Sequence, residues 1–378
     1  MRHSVVVAEA SKLEMLPETN PTTMQAAVYR GVNDVRLESV PVPRIGPQEL
    51  LVRVHTCGIC GTDLKKIATG SHSPPRIFGH EISGVVAEVG AGVSDFRRGD
   101  RVVVFHHIPC GQCFYCYHKT FAQCAAYKRV GTTAGFEPSG GGFAEYLRVM
   151  DWIVRRGTVR IPDGVSFEQA CFLEPVNTCM KGIERLQVSP GETVLVIGQG
   201  PIGIILSSLA QRAGAQVITS DLYAQRLTIA TTFGLENGID ASRTDTIKAV
   251  RERTEGRGAD AAIVAVGSNG LIRAGIEVVR PGGRVLLFAQ TAKGEVTIDP
   301  AEVCVQEKTL LGSYSASVAL QEKSVRFVMD RQMDLERLIS HRFPLSSSVE
   351  AFELAAHPAP DSMKIVIQPS SGWGGSSE

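Results

Sequence analysis

From Met24 onward the chain alternates apolar and polar positions. The stretches "MQAAVYR", "VRLESVPV" and "ELLVRVHTCG" carry this period of about two. Successive side chains of a strand point to opposite faces, so the period predicts half-buried strands. Glycine-bounded stretches follow in "ISGVVAEVG", "DRVVVFHH" and "FAEYLRV" and predict further short strands. Residues 24 to about 160 thus read as a β-rich, barrel-like unit with long loops. The texture changes at Ser166, where "SFEQACFLEPVNTCMKGIERL" brings apolar residues to helical spacing behind a serine able to cap. Then "GETVLVIGQGPIGIILSSLAQRAGAQVITSD" runs as an apolar strand, a glycine turn, an apolar helix and a second strand. "ADAAIVAVG" and "PGGRVLLFAQ" continue the strands between helices, the pattern of an α/β unit whose parallel sheet is covered on both faces. After about Ser313, helical segments lead to "SMKIVIQP", a strand expected to rejoin the first unit.

The pattern divides the chain into an expected flexible leader (1–23), a β-rich unit (24–170 and 317–369), an α/β unit (171–316) and an expected disordered tail (370–378). At 378 residues there is chain enough for two cores. Its 39 Lys+Arg against 39 Asp+Glu leave no net field for nucleic acid or an anionic membrane. No apolar run approaches the roughly eighteen residues that span a bilayer, and the first residues make a poor export signal. The expected setting is the reducing cytoplasm, where clustered cysteines favour metal over disulfide.

Gly198, Gly200 and Gly203 form G-x-G-x-x-G directly after a strand and at the opening of a helix. Such glycines allow a tight turn, close approach of a pyrophosphate and close helix–strand packing, and the helix end offers free N–H groups. Asp221 ends the second strand eighteen residues past Gly203, where a carboxylate accepts from ribose hydroxyls and repels a 2′-phosphate. The expected cofactor is NAD. Arg226 is the nearby cation that could soften this preference, or lie along the adenine ring.

Nine cysteines are present, and Cys110, Cys113, Cys116 and Cys124 cluster as C-x2-C-x2-C-x7-C. Four thiolates at such intervals can close a tetrahedron around Zn²⁺, whereas a redox pair needs only two. Iron–sulfur ligation is the rival, and the long last gap with no following proline counts against it. A closed site of four thiolates has no position open to substrate. A second, incomplete shell can be assembled from Cys60 in "GICGTD", His80 and Glu81 in "FGHE", and Glu174 in "FLEPV". Cysteine, histidine and carboxylate from separate loops form the open arrangement of a catalytic metal.

"CGICGTD", "GHE", the four-cysteine run, "EPVNTC" and "GQGPIG", in this order, resemble the zinc-dependent medium-chain dehydrogenase/reductase superfamily over roughly Met24 to Pro369. The closest resemblance is to its polyol (sorbitol-type) and threonine dehydrogenase branch. It implies a GroES-like catalytic domain, a Rossmann domain, one structural and one catalytic zinc, and a homodimer or homotetramer built through the nucleotide-domain sheet. It makes Cys60 the cysteine ligand, leaves Cys57 as a packed thiol, and admits either Glu81 or Glu174 as the carboxylate ligand. Thr62 matches the hydroxyl that begins the proton relay, and Asp63 the carboxylate that orients the histidine. Pro201, Ile202, Val266 and Phe288 join the glycines, Asp221 and Arg226 on the implied cofactor surface. Lys65 stands where several relatives carry a relay histidine. His106 takes the place of an apolar or aromatic pocket residue and would suit a substrate rich in hydroxyls. The implied activity is interconversion of a secondary alcohol, preferably a polyol, with its ketone. L-threonine 3-dehydrogenase, a general alcohol dehydrogenase and an inactive structural relative are the alternatives.

Overall fold

A computed structural model describes residues 16–17, 19–289 and 294–369. Most of the expected leader and all of the expected tail lie outside them. The chain builds two large sheets and a hairpin, Thr23–Gly31 with Asp34–Pro41, that bridges to Ala144 and Arg76.

The first sheet is centred on Leu50–Gly58, which pairs antiparallel with Glu81–Val89 in a register setting Gly58 opposite Glu81. On the other side Lys364–Gln368 pairs with the end of the same strand, Val366 opposite Gly58, and Ile339–Pro344 runs parallel outside it. Arg101–Val104 and Thr158–Arg160 extend the opposite edge, and Tyr146–Val149 pairs with the start of Leu50–Gly58. The alternation leads one to expect half-buried strands, but every residue of Leu50–Gly58 except His55 is buried, because other elements cover both faces; Leu50, Val52, Val54, Ile82, Val86 and Leu147 all enter one core.

The second sheet has six strands, all parallel. Their spatial order is Gly238–Asp240, Gln216–Asp221, Thr193–Ile197, Ala259–Val264, Val279–Leu287, Thr309–Gly312. In chain order this is 3-2-1-4-5-6, the doubly wound arrangement of a Rossmann fold. Both faces are covered. Val194 and Val196 point into a core shared with the helices Leu173–Leu186 and Pro201–Arg212. Leu195 and Ile197 point into another, shared with Thr246–Arg253 and Asn269–Val278. The first of these cores crosses between the sheets, because it also takes in Val103, Phe105, Ile161 and Val366. Among the described residues no helix is long and apolar enough to cross a membrane.

Candidate metal centres and nucleotide cleft

The strand register assembles the first cluster. Leu50–Gly58 delivers Cys60 just past its end, and Glu81 starts the partner strand opposite Gly58. One ligand atom each from Cys60, His80 and Glu81 lies within 4.8 Å of the others. Cys60 caps the helix Gly61–Thr69, its sulfur accepting from the Thr62 N–H at 3.5 Å while the Cys60 N–H donates to Asp63 Oδ2 at 3.3 Å. This reciprocal cap fixes the thiol at the helix start. The other Asp63 oxygen meets Nδ1 of His80 at 3.1 Å. With Nδ1 engaged, Nε2 is the nitrogen left to coordinate. Asp63 is completely buried. Burial opposes its charge, but the His80 ring outweighs this and holds the carboxyl below its ordinary range. Thr62 is half-buried beside Cys60.

Glu81 is 2% exposed and ion-paired to Lys364, a residue that the sequence reading did not single out. Lys364 is 6% exposed and also donates to the Ile59 carbonyl at 2.9 Å. Burial disfavours the ammonium, but Glu81 and the Cys60 thiol outweigh it, so its pKa is raised. A side chain at Gly58 would leave no room for this pair, since a Cβ there would lie 1.9 Å from Glu81 Oε2. Glu174 stands outside the three-residue cluster. Its Oε1 accepts from the Thr178 hydroxyl at 3.1 Å, and burial raises its carboxyl pKa, aided by Glu81 and opposed by His80. Cys57 is fully buried and its thiol is pushed well up by burial, as suits a packed residue.

His106 is buried next to His80, with ring centroids 4.8 Å apart, and His107 lies 3.9 Å beyond His106. Burial drives both imidazoles toward the neutral form, His107 to about 3. Nδ1 of each is buried without a hydrogen-bond partner among the described residues.

The four clustered cysteines meet the geometric demand of zinc. Tetrahedral coordination at about 2.3 Å requires sulfurs about 3.8 Å apart. The Cys110–Cys116, Cys113–Cys116 and Cys110–Cys124 sulfur separations are 3.9, 3.6 and 3.6 Å. A disulfide would need about 2.05 Å.

In the second sheet the order reverses between Thr193–Ile197 and Ala259–Val264, and the crevice beyond their carboxyl ends is where such folds take nucleotides. Gly198 turns there at φ +94, and a Cβ on it would lie 2.3 Å from Val266 Cγ2. A Cβ on Gly200 would meet nothing within 4 Å, which leaves the end of the helix Pro201–Arg212 open to a phosphate. Asp221 accepts from the N–H of Gln199 at 2.6 Å and of Tyr223 at 2.9 Å, so the carboxylate also holds the glycine turn. Arg226 lies over the Tyr223 ring and donates to the Ser362 carbonyl, while its Nε is buried without a partner among the described residues. Phe288 packs on Gly182 of the helix Leu173–Leu186, and a Cβ there would lie 3.0 Å from its ring. A cleft of about 230 Å³ joins the two regions: Cys60 and Glu81 line it together with Gly200, Pro201, Ile202 and Arg226. The residues present therefore fit a dinucleotide, a closed zinc site and an open one.

Gly203→Ala tests the turn. Its Cβ would lie 1.8 Å from the Gly198 carbonyl oxygen, so the turn must open. We expect the KM for the nucleotide to rise about tenfold or more, since ångström-scale misplacement is costly, with metal content unchanged. Cofactor titration and metal analysis read both.

Residues 46–163 match the family model described as alcohol dehydrogenase GroES-like domain, and residues 201–330 match that described as zinc-binding dehydrogenase. Sorbitol dehydrogenase of Bombyx mori is 30% identical, over 92% of this chain and 99% of that protein. The solved alcohol dehydrogenase of Thermus sp. ATN1 is 30% identical with a TM-score of 0.78, covering 91% of this chain and 99% of its own. A zinc-binding dehydrogenase of Sinorhizobium meliloti, solved with NADP bound, is 28% identical with a TM-score of 0.82, covering 92% and 100%.

Proposed function

The chain belongs to the polyol branch of the zinc-dependent medium-chain dehydrogenase/reductase superfamily, and from that premise we propose that it oxidises the secondary hydroxyl of a polyol to a ketone with NAD, and catalyses the reverse. The observation that carries this reading is the shared cleft, where Cys60 and Glu81 face Gly200–Ile202. Cys60, His80 and a carboxylate would hold a zinc, which would supply a Lewis acid for the substrate hydroxyl, and the glycine turn would hold NAD as the hydride acceptor. Glu81 and Glu174 are the two candidate carboxylates. The substrate carbon loses a hydride and its oxygen loses a proton. We assign relay of that proton to the Thr62 hydroxyl, on the second residue of the helix that Cys60 caps, which takes it while passing its own proton on to solvent. Asp63 keeps the His80 ring oriented. Cys110, Cys113, Cys116 and Cys124 would hold a second zinc in a closed shell that leaves no position for substrate.

A hydroxyl-rich substrate is supported by His106, whose buried ring lies beside His80 with an Nδ1 that has no hydrogen-bond partner among the described residues. A site with unsatisfied buried hydrogen-bonding groups rejects analogues lacking a hydroxyl. The deciding experiment is a panel of polyols, 2-hydroxy ketones and L-threonine assayed with NAD, alongside a zinc count. Two zincs per chain with polyol oxidation support the reading, and threonine turning over far better than every polyol would overturn it.

Asp221→Asn tests cofactor choice. The amide keeps an acceptor for the glycine turn but removes the charge that repels a 2′-phosphate. The preference for NAD over NADP should fall about tenfold or more in kcat/KM, and an unchanged ratio would place cofactor selection elsewhere. For oligomerisation we propose pairing through the edge strand Thr309–Gly312, which is flanked by exposed Val305 and Tyr314.

A further inference from the structure

The four-cysteine lobe is small and has almost no core of its own. Its elements are Phe114–Tyr117, Phe121–Gln123 and Ala125–Lys128, none longer than four residues. Its fully buried members are Cys116, Ala122, Cys124 and Tyr127. Two of these are proposed metal ligands, so the order of the lobe depends on its metal. Tyr127 is the largest of the four and the one that reaches outside. It is 4% exposed, and its ring stacks on His107 at 4.9 Å and 27°. His107 in turn lies against His106, and His106 against His80.

The hydroxyl of Tyr127 reaches the segment that carries the chain from the edge strand Thr309–Gly312 back toward the first sheet. It donates to the Ala316 carbonyl at 3.1 Å. Having one proton, it then accepts from Ser315 Oγ, 2.8 Å away. Ser315 has φ +62, a conformation that non-glycine residues rarely adopt and that surrounding contacts must hold. Two residues of the helix Leu173–Leu186 hold the same crossover from the other side. Lys181 Nζ donates to the carbonyls of Tyr314 (2.7 Å) and Ser315 (3.2 Å). Asn177 accepts from the Ser317 N–H at 2.7 Å and donates to its carbonyl at 3.1 Å. That helix also carries Glu174.

We propose that Tyr127 is a positioning residue: it pins the metal-ordered lobe to the crossover 313–317 and to the imidazole row beside His80, so that the lobe sets the geometry of the substrate side of the cleft. The proposal rests on reading the four cysteines as a metal site and the cleft as a dehydrogenase site. Tyr127 touches neither zinc nor substrate in this role.

The test uses Tyr127→Phe, Tyr127→Leu and Ser315→Ala in the full-length protein, each checked for two zincs per chain. Readouts are amide hydrogen exchange at 315–317 and 106–107, and the KM and kcat for the best alcohol. Tyr127→Phe keeps the ring and should raise exchange at 315–317 about tenfold, the usual effect of one hydrogen bond. Ser315→Ala removes the Ser315 Oγ contact and leaves the bond to the Ala316 carbonyl, so it should raise exchange less, and adding it to Tyr127→Phe should raise exchange no further than Tyr127→Phe alone. Tyr127→Leu should also loosen 106–107 and raise the KM for the alcohol about tenfold with little change in kcat. Cys113→Ser, left with one zinc, should reproduce the faster exchange at 315–317. Native exchange and native KM in the Tyr127 variants, with only a lower melting temperature, would reduce Tyr127 to packing and overturn the proposal. Native exchange at 315–317 in Cys113→Ser would overturn its link to the lobe. If Tyr127→Leu does not fold, Ser315→Ala and Tyr127→Phe still decide. Exchange needs no turnover, so a wild-type protein that oxidises no alcohol would sink the dehydrogenase reading without deciding this one.

Discussion

Cys60→Ser should hold one zinc per chain instead of two and turn over about a thousandfold more slowly. Serine stays protonated near neutral pH and is a poor zinc ligand, so the cluster of Cys60, His80 and Glu81 loses the thiolate on which its affinity depends. The rest of the protein is spared, because a serine hydroxyl can still accept from the Thr62 N–H and cap the helix Gly61–Thr69. Stabilisation by a Lewis acid contributes several kcal/mol to the barrier, and about 4 kcal/mol corresponds to about a thousandfold in rate. Metal analysis, melting temperature and kcat/KM together read the result. Full turnover with one zinc, or with two, would mean that the reaction does not depend on this cluster.

Lys364→Met should have the largest effect on stability. It removes the cation from a carboxylate that is 2% exposed, and Glu81 has no comparable partner among the described residues. Breaking a buried ion pair from one side costs about 3–5 kcal/mol, whereas replacing both partners with neutral groups is often tolerated. The melting temperature should therefore drop by roughly 4–6 °C, and Glu81→Gln added to Lys364→Met should restore much of it. In the presence of zinc the unpaired Glu81 is also freed to move toward the metal, so the single variant should melt higher with zinc than with a chelator. A melting temperature unchanged by Lys364→Met would show that Glu81 is neutral in the folded protein.

Apolar stretches and glycine turns made the strands of both sheets legible, but the alternation in "ELLVRVHTCG" promised one buried face where both faces of Leu50–Gly58 are covered. The strand Thr193–Ile197, the turn at Gly198 and the strand Gln216–Asp221 fall where the pattern puts them. The helices Gly61–Thr69 and Asp151–Gly157 did not show in it. Both are short, and the first rests on a cysteine cap that becomes visible only once Asp63 and His80 are in place. The clustered cysteines were legible because their ligands are neighbours in the chain. Lys364 was not: nothing in "SMKIVIQP" marks its lysine, and only the pairing of Lys364–Gln368 with Leu50–Gly58 carries it across some three hundred residues to Glu81. Glu81 and Glu174 were both read as candidate carboxylate ligands, and the structure groups Glu81 with Cys60 and His80 and has Glu174 hydrogen-bonded to Thr178.

The strand Arg101–Val104 lies between two interiors. Val102 and Val104 enter the core of the first sheet, while Val103 enters the core that also contains Val194 and Val196 of the second. Neither sheet can then lose its interior without exposing part of the other's. Heating should consequently melt the chain in one cooperative transition, and a fragment cut between the sheets would begin its life with an unfinished hydrophobic face. The cleft between the sheets is thus bounded by parts that fold as one, so opening it must be a hinge motion within a folded unit and not the parting of two independent ones.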